Sequence, residues 1–214
     1  AISDCLNFGN PEDPDLMWQL VQAMEGLADG CVELGIPVTG GNVSLYNSSG
    51  DESINPTPVV AMLGVLDDVK TARPSGWTEE GLAILALGEV ADELDGSAWA
   101  RTIHDHLGGL PPKVDLAQEV ALGNVLVALA EADVTKAAHD VSNGGLVQTL
   151  TDMVLRYRMG ASIDLQKLGA DDFTALFSES QARAVIAVPE HLLPAVHAAA
   201  EAEGVVAARI GTTG

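Results

Sequence analysis

The sequence predicts a mixed α+β fold, in which helices pack against sheets without strict strand–helix alternation. Short β-branched and apolar runs of strand length predict the sheets, and longer segments with apolar residues every three or four positions predict the helices. Charge is also uneven: residues 1–69 contain eleven acidic residues and no lysine or arginine, whereas all ten basic residues lie at or after Lys70. This boundary predicts two regions, joined near a turn at residues 73–76.

The first region is expected to open on a strand over residues 1–6, followed by a loop and a helix from about Asp15 to Leu34. Asp13 or Asp15 can cap the first turn of that helix, and Gly35 suits its end. The spacing of the apolar residues predicts one buried face. Its members are Leu16, Leu20, Met24, Leu27, Ala28, Cys31 and Val32.

Five further segments complete the first region. Strands are predicted over residues 36–39 and 43–46, joined by a tight turn at Gly40-Gly41-Asn42. Residues 47–55 are expected to be polar and flexible, and the β-branched run at residues 57–66 predicts a buried strand.

The second region combines both kinds of element. Helices are predicted over residues 97–107, 115–130, 146–158 and 191–202. Strands are predicted over residues 82–87, 136–139, 161–165, 182–188 and 205–210.

Composition limits the classes of function. The 214 residues are 47% apolar, which is enough for a packed core, and no apolar run reaches the roughly 18 residues of a membrane span. A net charge of −21 argues against nucleic acids and anionic membranes as partners, because both bind through lysine and arginine. Two cysteines and no signal peptide predict a reducing, cytoplasmic location. The absence of an initiator Met predicts part of a larger protein.

Two segments of the first region offer oxygen ligands or exposed backbone. In Ser3-Asp4-Cys5-Leu6-Asn7-Phe8-Gly9-Asn10-Pro11, a carboxylate at a strand end precedes a loop rich in asparagine and glycine. In Thr39-Gly40-Gly41-Asn42-Val43-Ser44, glycines allow close approach of a ligand and Asn42 offers a hard oxygen for Mg²⁺. Each also has a purely structural interpretation, as Asx turns or as a glycine hairpin.

Two segments of the second region are more ambiguous. His139-Asp140-Val141-Ser142-Asn143-Gly144-Gly145 leads into a helix whose free amides suit a phosphate, but Asp140, Ser142 or Asn143 can equally cap that helix. In Phe177-Ser178-Glu179-Ser180-Gln181, Glu179 either binds a ligand or ties down a turn.

Taken together, these motifs resemble one family. Asp-Cys-Leu-Asn-Phe-Gly-Asn-Pro at 4–11, Gly-Asn-Val-Ser-Leu-Tyr-Asn at 41–47, Thr-Pro-Val-Val at 57–60, His-Asp-Val-Ser-Asn-Gly-Gly at 139–145 and Leu-Phe-Ser-Glu-Ser-Gln at 176–181 occur in this order. The set is similar to phosphoribosylformylglycinamidine synthase, a glutamine-dependent purine-biosynthetic ligase, in its small bacterial synthetase-subunit form.

The resemblance implies an architecture. That family has two similar halves, each with an aminoimidazole-ribonucleotide-synthetase-like N-terminal domain and a matching C-terminal domain. This chain corresponds to the second half, with a partial N-terminal-type domain at residues 1–72 and a C-terminal-type domain at residues 80–214. The first half, with the catalytic histidines, lies outside it, so the isolated chain is expected to be inactive.

The resemblance also implies roles for individual residues. Asp4 and the Gly41 backbone would contact ATP, Asn42 would bind Mg²⁺ and Ser44 would contact formylglycinamide ribonucleotide. No catalytic residue is carried over. His139, Asp140 and Glu179 are auxiliary candidates, and Asn143 departs from the acidic residue or glycine expected there. We expect Asp4 and Asn42 to converge at one edge of a sheet.

The implied partners are a glutaminase subunit, a small accessory subunit and the missing first half. The exposed partial domain is also expected to form a homo-oligomer through residues 1–69. Two alternatives remain: a non-catalytic structural half of the same subunit, or another member of the superfamily, such as aminoimidazole ribonucleotide synthetase or a selenophosphate-synthetase-like protein.

Overall fold

The computed structural model describes all 214 residues, which form two compact units, Ala1–Asp67 and Asp68–Gly214. Both units combine helices with sheets, which confirms the predicted α+β class. None of the helices has the length and hydropathy needed to cross a lipid bilayer.

The first unit is built on a three-stranded sheet. Its strands are β1 (Ile2–Asn7), β2 (Val38–Ser44) and β5 (Thr57–Met62), and β1 lies in the centre. β1 runs parallel to β2 and antiparallel to β5. Between β2 and β5, a two-stranded hairpin is formed by β3 (Ser48–Ser49) and β4 (Glu52–Ser53).

One helix, α1 (Pro14–Glu33), packs against the central strand β1 and begins and ends as predicted. The Asp13 carboxylate accepts a hydrogen bond of 2.9 Å from the Asp15 amide, and Gly35 adopts the left-handed conformation that ends the helix, with φ of +63°. The core beneath α1 is small, with Leu6, Phe8 and Leu20 as its buried members.

The sequence prediction overstated burial in the first unit. On α1, Met24, Ala28 and Val32 are exposed, so only part of the predicted apolar face is buried. The strand predicted at residues 57–66 ends already at Met62, and all six residues of β5 are exposed instead of buried, because no other element of the unit covers it. The predicted flexible segment 47–55 contains the β3–β4 hairpin instead.

The second unit is built on a five-stranded antiparallel sheet with the strand order β7-β9-β6-β10-β8. Its strands are β6 (Ala83–Leu87), β7 (Ala137–Asp140), β8 (Ala161–Ile163), β9 (Ala184–Val188) and β10 (Ala207–Thr213). Its helices are α2 (Ala98–His104), α3 (Leu116–Glu131), α4 (Gly145–Tyr157), α5 (Asp172–Phe177) and α6 (Leu193–Glu203). The sequence predicted all of these except the short helix α5.

The two central strands, β6 and β9, are buried on both faces and supply alternate residues to two cores. On one face, Ile84 and Val185 pack with Leu146 and Met153 of α4 and with Trp77. On the other face, residues from α3 and α6 complete the second core. Continuous apolar strands therefore fit a sheet that is covered on both sides.

Candidate functional site

Strands β1 and β2 approach each other closely at Gly41. Residues 38–44 form one continuous strand, so the tight turn predicted at Gly40-Gly41-Asn42 is wrong. Neither glycine has a positive φ. A Cβ on Gly41 would overlap the Asp4 carboxylate and lie 2.5 Å from the Asp4 carbonyl oxygen. Gly41 is therefore required for close packing of two strands and not for a turn.

The strand register places Asp4 and Asn42 on opposite faces of the sheet. Asp4 pairs with Gly41, and Cys5 pairs with Asn42. Paired residues share a face and successive residues alternate, so Asp4 lies on the face of Leu6, which α1 covers, and Asn42 lies on the other face. The expected convergence of these two side chains at one sheet edge is therefore wrong, although their strands are neighbours.

The face that carries Asn42 is open, and on β2 its side chains are polar. Asn42 is exposed, and Ser44 follows two residues later on the same face. The Ser44 hydroxyl donates to the Asn47 Oδ1 at 3.1 Å, and the Asn47 amide donates to the carbonyl oxygens of Phe8 and Ser44. Asn47 thus holds the end of β2 against the loop that follows β1.

The donor set on this face fits a magnesium–nucleotide in which the protein supplies few ligands. Asn42 and Ser44 carry hard oxygens, and β2 is an edge strand with exposed backbone at Gly40 and Gly41. No group of three or more histidine, cysteine, aspartate or glutamate side chains lies close enough to hold a metal alone. Most of a magnesium coordination shell would therefore come from phosphates and water.

The His139–Gly145 segment begins in the last two residues of β7 and ends at the first residue of α4. His139 Nδ1 lies 2.8 Å from the Asp140 carbonyl oxygen and 3.2 Å from its carboxylate. The predicted caps Asp140, Ser142 and Asn143 do not cap the helix, because its N-cap is Gly144, which has a φ of +83° and no side-chain cap. The segment therefore ends in a glycine turn, and the Gly144 amide is bound by a residue from another part of the chain.

Glu179 binds that amide. Its Oε1 accepts hydrogen bonds of 2.7 Å from the Gly144 amide, at the start of α4, and from the Ala98 amide, at the start of α2. Carboxylates are favourable at both positions because helix N-termini carry partial positive charge. Glu179 therefore connects the N-termini of α2 and α4. This corresponds to the structural interpretation of Glu179, one of the two that the sequence left open.

Sequence reasoning missed Arg183, which is only 4% exposed. Its Nη1 donates to the Ser178 carbonyl oxygen at 3.2 Å, whereas its Nη2 is buried without a partner. Burial lowers the pKa of Arg183 to about 10, because removal from water disfavours the charged form. The only signal in the sequence is a single cation at the start of the apolar run that forms β9.

Comparisons with known proteins cover the whole chain. The PurL subunit of phosphoribosylformylglycinamidine synthase from Leifsonia xyli subsp. xyli is 53% identical over 100% of this chain and 28% of its own length. PurL from Streptomyces coelicolor is 52% identical over 99% of this chain and 28% of its own length. The chain therefore spans about 28% of the length of these relatives. The resemblance predicted from the five motifs is confirmed.

Solved structures agree on the fold. The structure titled T. maritima PurL complexed with ATP has a TM-score of 0.72 at 19% identity, covering 99% of this chain and 33% of that one. E. coli HypE, a hydrogenase maturation protein, has a TM-score of 0.71 at 18% identity, covering 99% of this chain and 66% of that one. The family described as AIR synthase related protein matches through its N-terminal domain at residues 1–66 and its C-terminal domain at residues 79–214. The chain belongs to the AIR synthase related protein family.

Proposed function

We propose that this chain is part of an ATP-dependent carbon–nitrogen ligase of purine biosynthesis. The reaction converts formylglycinamide ribonucleotide and glutamine-derived ammonia to formylglycinamidine ribonucleotide. The observation that carries the proposal is the 53% identity to PurL over the whole chain. Solved structures of T. maritima PurL with ATP, with ADP and with FGAR support the proposed ligands. In this proposal residues 1–72 and 80–214 are the two domain types of the synthetase half.

The proposed nucleotide site lies along the free edge of β2. Asp4 and the Gly41 backbone contact ATP from the side of the sheet that α1 covers. Asn42 ligates Mg²⁺ from the open side, and Ser44 contacts the substrate there. Support comes from the closeness of the Asp4 carboxylate to Gly41 and from the exposure of Asn42. When bound, magnesium would neutralise part of the negative charge of the phosphates.

The role of these residues is binding and orientation. Phosphoryl transfer of this kind depends mainly on positioning and on electrostatic stabilisation. Residues 1–69 carry eleven acidic and no basic residues, so cationic groups for the triphosphate must come from other parts of the enzyme. The 214-residue chain alone is therefore expected not to form the amidine, and steady turnover by the purified chain would contradict this.

Binding of ATP to the purified chain tests the site. With an isotope-labelled sample, Mg²⁺ and ATP should shift the amide signals of β2 with weak, saturable affinity. Asn42→Ala should weaken binding about tenfold, as expected for loss of one bond to a charged group, and only when Mg²⁺ is present. Asn55→Ala is the control, because Asn55 is also exposed and its side chain makes no hydrogen bond. Equal binding by both variants would refute the assignment.

The location of Asp4 and Asn42 on opposite faces of the sheet allows a second test, of whether both side chains bind the same ion. If both side chains ligated one ion, replacing both would give a coupled effect, whereas contacts with separate parts of the nucleotide should add to within about 0.5 kcal/mol. We expect additive losses for Asp4→Ala and Asn42→Ala. A coupling above about 1 kcal/mol would show a shared ion.

The same substitution in a complete synthetase subunit that contains this segment separates the proposal from a structural role. Loss of activity by Asn42→Ala with unchanged melting temperature supports the nucleotide site. Retained activity with lower stability would instead support a non-catalytic half that only packs against the active one.

The proposed partners are a glutaminase subunit and a small accessory subunit, which a structure titled PurLQS from Thermotoga maritima supports.

Self-association through the first unit is also proposed, because Val59, Met62 and Leu63 are 52%, 61% and 72% exposed beside a free strand edge. Light scattering should show a dimer or larger species, and a monomer at high micromolar concentration would contradict this. The free thiols of Cys5 and Cys31 fit a cytoplasmic location.

A further inference from the structure

A side-chain network at the end of β2 controls the hydroxyl of Ser44. Asn47 lies three residues beyond Ser44, and its carboxamide spans both polar groups of that serine. The Asn47 Nδ2 donates to the Ser44 carbonyl oxygen at 2.9 Å, and the Asn47 Oδ1 accepts the Ser44 hydroxyl at 3.1 Å. The way in which Ser44 can contact a ligand therefore depends on Asn47.

The donors of Asn47 determine the orientation of its carboxamide. The Asn47 Nδ2 lies 3.0 Å from the Phe8 carbonyl oxygen and 2.9 Å from the Ser44 carbonyl oxygen. Because carbonyl oxygens only accept hydrogen bonds, the NH₂ group and not Oδ1 must face them. The Asn47 Oδ1 therefore faces the Ser44 hydroxyl and accepts its proton. This leaves the lone pairs of the Ser44 oxygen for a ligand.

The backbone before Asn47 is strained. Tyr46 has a φ of +58°, a left-handed conformation that is rare for a bulky residue. Its side chain is 60% exposed, so burial of the ring does not compensate for this conformation. The Tyr46 amide donates to the Gly9 carbonyl oxygen at 3.0 Å, and the Asn47 amide donates to that of Phe8 at 3.2 Å. Strain of this kind is typical of ligand sites, and here the turn returns Asn47 to Ser44.

Asn7 repeats the arrangement beside Ser44. The two residues are partners in the register of β1 and β2 and therefore share the open face of the sheet. The Asn7 Nδ2 donates to the carbonyl oxygens of Cys5 and Thr57, whereas the Asn7 Oδ1 has no hydrogen-bond partner in the chain. Asn7 and Ser44 thus use their donors within the chain and present acceptor oxygens on the open face.

We propose that Asn47 is a positioning residue that makes Ser44 a hydrogen-bond acceptor, and that Ser44 and Asn7 bind an amide N–H group of the substrate. This rests on the proposed function, which places Ser44 at the substrate. An amide N–H has a proton and no available lone pair, so it suits two acceptors. A phosphate or carbonyl oxygen would need the Ser44 proton, and its loss from the Asn47 Oδ1 would weaken binding roughly tenfold. Formylglycinamide ribonucleotide has such N–H groups in its two amides.

The orientation of Asn47 can be tested in the 214-residue chain without a ligand. In an isotope-labelled sample, the side-chain amide protons of Asn47 should exchange with solvent at least about tenfold more slowly than those of Asn55. Asn55 is the reference because it is exposed and its side chain makes no hydrogen bond. Equal exchange of the two side chains would overturn the proposal and would leave the proposed ATP site unaffected.

Kinetics of a complete synthetase subunit that contains this segment test the positioning role. Ser44→Ala should raise KM for formylglycinamide ribonucleotide about tenfold with kcat nearly unchanged, because a binding contact is lost. Asn47→Ala should raise KM about threefold alone but less than about twofold when Ser44→Ala is present, because Asn47 acts through Ser44. Its melting temperature should fall in both backgrounds. Asn55→Ala is the control and should change neither quantity.

The outcomes of these kinetics separate the two proposals. An equal effect of Asn47→Ala on KM with and without Ser44→Ala would overturn the positioning role, because a purely structural effect does not require the Ser44 hydroxyl. No effect of Ser44→Ala on KM would instead refute the substrate contact of the proposed function.

N-methylated substrates test the nature of the bound group. Methylation of one amide nitrogen removes its N–H, and a steric effect of the methyl group would appear in every variant. For one of the two N-methyl analogues, the increase in KM should be at least about fivefold larger in the wild type than in Ser44→Ala. Equal increases in the two proteins for both analogues would overturn the proposal.

Discussion

The Gly40-Gly41 pair allows a test of the strand contact at the proposed site. Both glycines lie in β2 and neither has a positive φ, so alanine fits the local backbone at either position. A Cβ on Gly40 would meet nothing within 4 Å, whereas one on Gly41 would lie 2.5 Å from the Asp4 carbonyl oxygen. The two substitutions therefore add the same methyl group to one strand, and only one of them meets an obstacle.

The free-energy cost of Gly41→Ala depends on which atoms of Asp4 can move away from the new methyl group. The Asp4 carboxylate can rotate away from a new methyl group, but the Asp4 carbonyl oxygen can yield only if β1 shifts relative to β2. Overpacking of this kind costs about 1–3 kcal/mol. Replacement of glycine also stabilises by about 0.4–1 kcal/mol through the unfolded chain, and this effect is common to both variants. The difference between Gly41→Ala and Gly40→Ala thus isolates the overlap.

Hydrogen exchange measured by mass spectrometry is the suitable assay, because it reports local opening of each strand. Peptides that cover β1 and β2 should exchange roughly 5- to 150-fold faster in Gly41→Ala than in Gly40→Ala, which corresponds to about 1–3 kcal/mol. Peptides of the second unit should not change. Adding Asp4→Ala to Gly41→Ala should recover little of the loss, because the Asp4 carbonyl oxygen remains in place. Equal exchange in the two single variants would refute the role given to Gly41.

Three further outcomes are expected in the second unit. Leu146→Ala should lower the free energy of unfolding by about 2–5 kcal/mol, whereas Leu155→Ala on the same helix should change it by less than about 1 kcal/mol, because Leu146 is 0% and Leu155 66% exposed; denaturation followed by fluorescence of the buried Trp77 checks this. Arg183→Met should raise stability by about 1–3 kcal/mol at neutral pH, because it removes a buried cation without a counter-ion. The folded pKa of about 10 lies below the ordinary pKa of arginine, so wild-type stability should rise relative to that of Arg183→Met as pH increases above about 10, and parallel curves would contradict this. Glu179→Ala should speed hydrogen exchange at the starts of both α2 and α4, and an effect at one helix alone would disprove the double contact.

The sequence predicted the second unit well because its two cores are complete within it. Strands β6 and β9 are continuous apolar runs, and in the structure each is buried on both faces. In the first unit, composition predicted the strand at β5 but not its exposure. An apolar run shows what a strand can bury, whereas the element that covers it has to be supplied by the rest of the fold.

Glycine-rich segments were harder to interpret, because glycine permits both a turn and a close approach of two strands. At Gly40-Gly41 the sequence favoured a turn, and the structure has a strand. At Gly144-Gly145 the expected caps were side chains of the segment itself, and the partner is Glu179, which lies 35 residues away from Gly144. Contacts of this range leave no local pattern in the sequence.

Register decides what the candidate site can do. The motifs correctly predicted neighbouring strands for Asp4 and Asn42, but a spacing along the chain does not determine which residues pair. A shift of one residue moves a side chain to the other face of a sheet, and Asn42 follows directly after Gly41, the partner of Asp4. We therefore expect that the two side chains do not bind a single ion across an intact sheet. A nucleotide that contacts both must pass around the edge of β2, and that edge is accessible because Gly40 and Gly41 carry no side chains and no further strand pairs with β2.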